Sequence, residues 1–207
     1  LPAMRKVPDS WLFEPWKMPH NVRQSTDATA ATQIHSPLVD LSTAAVAALS
    51  STQVQGLKTS TLNAMSVTQI RAMETEDFRA LGTSNITALS ESQIRNMETA
   101  DLAAFSDAQI TKLNNTQIGA LSPAGINALS SSQVGSLGVS VINAMSEDQI
   151  IAIDTEDIAS ITTATAASLS ADSLQRLTSD QVKQLTTAQL QSLSTAQINA
   201  LGEDLAS

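Results

Sequence analysis

The chain has 207 residues, and 20 acidic against 11 basic side chains give it a formal net charge of −9, which disfavours nucleic acid and anionic membrane surfaces as partners. The absence of cysteine excludes a disulfide framework and a thiolate zinc site. Aromatic residues make up only 2%, too few for a conventional globular core, whereas the hydrophobic content of 42% is too high for a disordered linker. No apolar run approaches the ~18 residues that span a membrane, so we expect no membrane insertion.

Residues 1–40 differ from the rest of the chain. They contain both tryptophans, both histidines and five of the six prolines. We predict an irregular capping segment in which Trp11, Phe13 and Trp16 form a hydrophobic plug over the first repeat, because stacked repeats leave a bare apolar end. His20 and His35 stand fifteen residues apart, and we assign them neither a metal site nor a catalytic role.

Part of this segment carries a family resemblance. The residues from Val7 to Pro19, with the core Glu14-Pro15-Trp16, resemble a stretch near the C-terminal end of the flavin-binding domain of animal cryptochromes and photolyases. The run from Pro37 to Asp40 is similar to the Pro-x-Ile-Val-Asp that follows in that family. The region between the two pieces departs from the family pattern, and the helices that surround the flavin there are missing. The resemblance therefore implies a fusion remnant or a borrowed cap, without a cofactor site.

Residues 41–200 consist of twenty octads without insertion or deletion, of which Leu193–Ala200 is the clearest example. Position 1 is Leu, Met, Ile or Phe throughout, and position 6 is a larger apolar residue in every octad except the one with Ala166. A continuous helix would rotate this pattern by ~80° per octad, so it would face nothing. In a strand, positions 1 and 6 would point to opposite faces. A short helix and a turn per octad fit the pattern best.

The polar positions locate the helix start. Position 2 is usually Ser or Thr and position 5 is most often Gln, which is the spacing of a capping box. With position 2 as the N-cap, the apolar positions 1 and 6 are the pair that forms a hydrophobic staple. Pro123 lies at position 3, the first helical position, where its missing N–H costs nothing.

Charge placement predicts the same helix polarity. Every acidic residue of the octads lies at positions 2 to 5, and every basic residue except Lys58 lies at position 7 or 8. This order complements the helix dipole, at ~0.3–1 kcal/mol for each charge. We therefore predict an all-α solenoid of very short helices, each over about positions 3 to 8, followed by a truncated repeat at 201–207. Small residues at position 8 would allow close approach between coils. The runner-up fold is a β-solenoid.

Longer segments of the sequence also recur. Leu57–Ala80 resembles Leu137–Ser160, ten octads later, and Gln69–Thr75 resembles Gln93–Thr99, three octads later. We interpret both as traces of duplication. They leave the number of octads per superhelical turn open.

We find no catalytic residue, cofactor site or metal site in the sequence. It has no Gly-rich phosphate loop, His-Glu helix motif or nucleophile elbow. The densest acidic clusters, Glu74–Asp77 and Asp154–Asp157, have the ligand type that Ca²⁺ prefers, but neither matches a calcium loop. We interpret them instead as helix-start acids that face water.

From Leu41 onward, the pattern Leu-Ser/Thr-x-x-Gln-Ile/Val-x-Ala resembles repeats of large bacterial surface and adhesin-like proteins. The resemblance implies an extracellular or cell-surface spacer and no reaction. We therefore expect a non-enzymatic structural repeat protein. The alternatives are a protein-interaction solenoid, or a natural or engineered fusion that carries the cryptochrome-like fragment. The simplest protein partner would be a second copy of the chain, bound through the solenoid ends.

Overall fold

The computed structural model of the chain describes residues 41–204, with side chains up to Gly202. This part is helical and contains no strand, so the all-α repeat fold is confirmed and the β-solenoid is excluded. The segment 1–40 and its predicted plug lie outside the described residues. We number the octads from 1 (residues 41–48) to 20 (residues 193–200).

Each octad forms one helix that begins at position 3. Nineteen of the described helices are α-helices: Thr43–Val46, Ser51–Gln55, Thr59–Ala64, Val67–Ile70, Thr75–Ala80, Thr83–Ala88, Glu91–Arg95, Thr99–Ala104, Asp107–Ile110, Asn115–Gly119, Pro123–Asn127, Ser131–Gly135, Val139–Ala144, Glu147–Ile151, Thr163–Ala167, Ala171–Gln175, Ser179–Lys183, Thr187–Ser192 and Thr195–Asp204. Octad 15 forms a 3₁₀-helix, Thr155–Ser160. The last helix continues past position 8 to Asp204, unlike the others.

The helices begin where the sequence predicts. The Ser50 hydroxyl accepts a hydrogen bond from the backbone N–H of Gln53 at 3.3 Å, and the Gln53 Oε1 accepts one from the N–H of Ser50 at 2.8 Å. The same reciprocal pair recurs in most octads with Gln at position 5. Each pair satisfies backbone donors that a helix start leaves free.

The solenoid has three octads per turn. Helices three octads apart pack against each other along the array, from the pair of octads 1 and 4 to the pair of octads 17 and 20. One coil therefore contains 24 residues, and the octads fall into three columns in which every third octad stacks. We call these the first, second and third columns, after octads 1, 2 and 3. The similar segments Gln69–Thr75 and Gln93–Thr99 therefore lie in stacked octads of neighbouring coils.

The core runs along the solenoid axis and is built from positions 1 and 6. Position 6 is at most 2% exposed in every octad from Val46 to Leu174. Position 1 is also buried in most octads, from Leu49 to Leu177. A single octad cannot bury both side chains by itself, so stacking between coils stabilises each unit.

Among the glycines of the described residues, the closest approach to another coil is at Gly135, in position 7 of octad 12, and its neighbour Ser160 is a small residue at position 8 of octad 15. A Cβ atom on Gly135 would lie 2.7 Å from the carbonyl oxygen of Ser160 in the next coil. Gly119 occupies the same position of octad 10, and a Cβ there would meet no atom within 4 Å. Only the first glycine is required by packing.

We predict opposite effects of alanine at these two glycines. Gly135→Ala should lower the free energy of unfolding by ~1–3 kcal/mol, because the added methyl overpacks against backbone. Gly119→Ala should raise it by ~0.5–1 kcal/mol, because alanine favours the helix. Urea denaturation followed by circular dichroism measures both. Equal shifts of the same sign would contradict the close approach.

Candidate functional site

The buried glutamines at position 5 join each helix start to the coil before it. In octad 14, Gln149 is 4% exposed, and its Oε1 accepts a hydrogen bond from the N–H of Ser146 at 3.0 Å. Its Nε2 donates to the carbonyl oxygens of Ile118 and Leu121, at 2.9 and 2.8 Å. One side-chain amide thus caps its own helix and binds the end of a helix in the preceding coil.

This arrangement repeats along the array, and we call it the glutamine ladder. Donation to carbonyls 31 and 28 residues earlier is made by Gln93, Gln109, Gln117, Gln133, Gln149, Gln181, Gln189 and Gln197. Asn85 reaches only the nearer carbonyl, that of Leu57, at 3.1 Å. Because unsatisfied buried carbonyls cost ~1–3 kcal/mol each, the ladder makes coil stacking specific as well as favourable.

Octad 17 shows that both the acceptor and the donor function of the glutamine amide are needed. It has Ser173 at position 5, too short to form the ladder contact. The N–H of Ser170 instead donates to Asn143 Oδ1 at 3.0 Å, and the Met145 carbonyl accepts from Arg176 Nη1 at 2.6 Å. Two other side chains therefore supply the acceptor and the donor that a glutamine would provide.

Three octads carry aspartate at position 5, and these carboxylates are buried. Asp77, Asp101 and Asp157 are 1%, 5% and 7% exposed, so the interpretation of the acidic clusters as water-facing is wrong for Asp77 and Asp157. Each accepts a hydrogen bond from a hydroxyl in the preceding coil, as from Thr75 Oγ1 to Asp101 at 2.9 Å. Burial raises the pKa of the Asp77 and Asp101 carboxyls, and neighbouring Glu74 and Glu98 raise it further against these hydrogen bonds.

We predict that Asp101→Asn stabilises the protein at pH 7. The raised pKa means that protonation of Asp101 stabilises the fold below its ordinary pKa of 3.8, and this stability is lost as the pH rises through the raised value. Asparagine keeps the acceptor for Thr75 and adds a donor toward the Met73 carbonyl, as Asn85 does toward Leu57. We expect a gain of about 1 kcal/mol at pH 7 that shrinks toward pH 4.

Thermal unfolding of both proteins from pH 4 to pH 8 measures this difference. Glu147→Gln is the matched control, because it removes a charge from an exposed side chain in the same column. It should change the midpoint little. A stabilisation by Asp101→Asn that grows as the pH falls would contradict the raised pKa of the Asp101 carboxyl.

Most acidic side chains of the octads lie in the second column, which makes this side of the solenoid negative. Its carboxylates are Glu74, Glu76, Asp77, Glu98, Asp101, Glu147, Asp148 and Asp172, against the two cations Arg79 and Arg176. The ion pair between Arg71 and Glu98, at 3.5 Å, joins the first and second columns on the surface. Such exposed pairs add little stability, so the column is mainly a source of negative potential.

An open cleft of about 760 Å³ lies in the first column, over octads 7, 10 and 13. Its lining includes Leu89, Leu113 and Leu137, which stack at position 1 of three successive coils. Asn115 and Thr116 line it from the middle coil, and octad 13 contributes Gly138 and Val141 instead of a hydroxyl cap and a glutamine. The cleft offers an apolar strip with amide and hydroxyl groups but contains no nucleophile–base pair.

Within residues 41–204, no group of three or more His, Cys, Asp or Glu side chains is placed to hold a metal ion. In the same part of the chain, no helix has the length and apolar character needed to cross a bilayer. His20, His35 and the cryptochrome-like residues lie outside the described residues, so those expectations remain predictions.

The sequence contains a signal for the glutamine ladder that the capping argument missed. Position 5 has ten glutamines but no glutamate, although Glu serves a capping box as well as Gln does. The preference therefore indicates that the amide N–H₂ is used. Only the donor contact between coils explains it.

Comparison with known sequence families supports the repeat assignment. The pattern of the ALTTAQ repeat family matches residues 70–97, 94–131 and 150–187, just under half of the chain. The chain is a helical repeat protein. The ALTTAQ letters correspond to position 8 followed by positions 1 to 5, and Leu185–Gln189 reads Leu-Thr-Thr-Ala-Gln. No curated protein matches this repeat protein.

Proposed function

We propose that this repeat protein is a non-enzymatic spacer or scaffold whose length is set by the number of octads. The observation that carries the proposal is the glutamine ladder, because its contacts recur from coil to coil and always run in the same direction along the array. With helices packed 8–10 Å apart, the nearly seven coils extend over about 60 Å. Such an array separates whatever is attached to its two ends.

Extension by whole coils tests this proposal. Three tandem copies of residues 89–136, inserted after Ser136, add six coils and keep every octad in register. The radius of gyration should reach about 33 Å for a rod of ~115 Å, against about 20 Å for a compact globule of that size. Small-angle scattering gives this value. A shuffled insert of equal composition, which should lose helicity in circular dichroism, is the control. A compact value would exclude the spacer.

The resemblance of the octads to bacterial surface repeats supports a location at the cell surface. In that setting, the acidic second column would keep neighbouring stalks apart by charge repulsion. Labelling of intact cells with a membrane-impermeant amine reagent tests the location, since Lys112 and Lys183 are exposed. Labelling only after cell lysis would contradict it.

Protein interaction through the first column is the second candidate, and the cleft favours it. A partner that inserts an apolar side chain over Leu113 would also find hydrogen-bonding groups at Asn115 and Thr116. Thr116→Arg would fill the cleft from an exposed position and should abolish such binding without changing the unfolding midpoint. Undiminished binding by this variant would exclude the cleft as the interface.

We propose that the segment 1–40 acts as the hydrophobic plug, and fluorescence and absorption measurements test this role. Trp11 and Trp16 are the only tryptophans and the chain has no tyrosine, so the emission maximum reports directly on the predicted plug. A blue-shifted maximum that moves to the red on unfolding supports the plug. Visible flavin absorption after incubation with FAD would instead support a cryptochrome-derived role.

A further inference from the structure

The last coil that the structure describes, residues 177–200, leaves part of its core uncovered. Leu190 and Ile198 at position 6 are 38% and 42% exposed, and Val182 is half-buried. In every described octad from 1 to 17, the same position is at most 2% exposed. Leu185 and Leu193 at position 1 are half-buried as well. We call the surface formed by these five residues the end face.

The end face is open because position 6 is covered by the coil that follows. Helices three octads apart pack together along the array, and within residues 41–204 no helix lies three octads after those of coil 177–200. The backbone carbonyls at position 1 of this coil also have no partner from a following coil within the described residues. In interior coils the position-1 carbonyls of Leu81, Leu89 and Leu121 accept from ladder glutamines. No described side chain donates to the equivalent carbonyls of Leu177, Leu185 and Leu193.

The missing complement is therefore defined by chemistry. It must cover an uncharged apolar strip and present amide donors at eight-residue spacing toward three carbonyls. We propose that the end face binds a separate repeat segment: a further coil of three octads with glutamine at position 5. This extends the existing stacking interface and goes beyond the spacer role, because it makes the array able to join repeat segments end to end.

The direction of the ladder excludes the simplest alternative. Two end faces brought together by a two-fold axis would both present carbonyl acceptors, and neither would supply a donor. A charged partner is also disfavoured, because all five side chains of the end face are aliphatic. The occupant must be a donor-bearing coil that approaches in the same orientation as the coils within the chain.

Residues 177–200 provide the probe, since they carry Gln181, Gln189 and Gln197 at all three position-5 sites. A fluorescein-labelled peptide of this sequence is titrated with the intact protein, and fluorescence anisotropy follows binding. We expect saturable binding. A peptide with the three Gln→Glu substitutions keeps the capping acceptors but loses the donors, and it should bind at least ~10-fold more weakly. Equal binding of the two peptides would overturn the proposal.

Variants of the intact protein test the other side of the contact. Leu190→Asp and Ile198→Asp should each weaken binding at least ~10-fold, because they place a charge against the stacked apolar side chains. Ile151→Asp is the matched control, since Ile151 is 47% exposed but lies in the body of the solenoid. The affinity of the Ile151→Asp variant for the peptide should stay within ~2-fold of the wild-type value. Loss of binding in all three variants would indicate nonspecific hydrophobic adsorption and overturn the proposal.

A tethered format removes the cost of ordering a free peptide. The same 24 residues are joined after Ser207 through a flexible Gly/Ser linker, which raises the effective concentration to the millimolar range. We expect the thermal unfolding midpoint to rise, and Ile198→Asp or the three Gln→Glu substitutions to remove the rise. If the free peptide does not bind and the tethered coil leaves the midpoint unchanged, the end face does not accept a further coil. The length of the array in solution does not depend on this result, so the spacer proposal is tested separately.

Discussion

Gln117→Ala should lower the free energy of unfolding by about 3 kcal/mol or more. The wild-type amide accepts from the N–H of Asn114 at 3.1 Å and donates to the carbonyls of Ile86 and Leu89, both at 2.8 Å. Alanine leaves the carbonyls of Ile86 and Leu89 and the N–H of Asn114 without these hydrogen bonds. Each unsatisfied buried group costs ~1–3 kcal/mol of stability. Urea denaturation followed by circular dichroism measures the loss.

Two further substitutions separate the functions of this side chain. Gln191→Ala removes an exposed glutamine from a helix surface and should change stability by less than ~0.5 kcal/mol. Gln117→Glu keeps the cap acceptor but places a carboxylate against two carbonyl oxygens, so it should cost at least as much as alanine at pH 7. If Gln117→Glu were as stable as wild type, the donor contact between coils would not stabilise the array.

Phe78→Ala should be the most destabilising single core substitution, at about 3–5 kcal/mol. Phe78 is 0% exposed, and its ring meets the edge of Phe105, with centroids 6.1 Å apart and planes at 63°. Alanine removes this contact and opens a cavity between octads 5 and 9. The free energy of unfolding from a denaturation curve, monitored at the helical signal, gives the cost.

Comparison with smaller changes shows whether a cavity is the cause. Phe78→Leu should cost only about 1–1.5 kcal/mol, because leucine fills the same position at Leu62, Leu102 and Leu174. Ile151→Ala, at a side chain that is 47% exposed, should have little effect. A similar loss for Phe78→Leu and Phe78→Ala would indicate that the aromatic edge contact, rather than buried volume, stabilises this part of the core.

The helix starts and core positions are readable from the sequence because local chemistry sets them. A hydroxyl at position 2, as in Ser146, and an amide three residues later fix where the helix begins, and the spacing of positions 1 and 6 fixes which face is buried. The repeat pattern thus predicts a helical solenoid, and the structure and the family comparison confirm a helical repeat fold.

The number of octads per coil is not readable in the same way, because it depends on the angle between successive helices. That angle is set by contacts between residues 24 to 31 positions apart, such as Gln149 with Ile118 and Leu121. The second use of glutamine was missed for the same reason, since its carbonyl partners belong to another coil. The octad of Asp77 alone predicts that its carboxylate faces water, whereas the Ser51 hydroxyl of the preceding coil donates a hydrogen bond to it.

The 24-residue spacing of these contacts has a consequence for folding speed. Folding slows as the mean sequence separation of contacts increases relative to chain length. In this array that separation is set by one coil and does not grow when octads are added, so relative contact order falls as the protein lengthens. Nucleation at any coil can then spread in both directions through nearest-neighbour contacts. We therefore expect extended versions of the chain to fold at least as fast as this one.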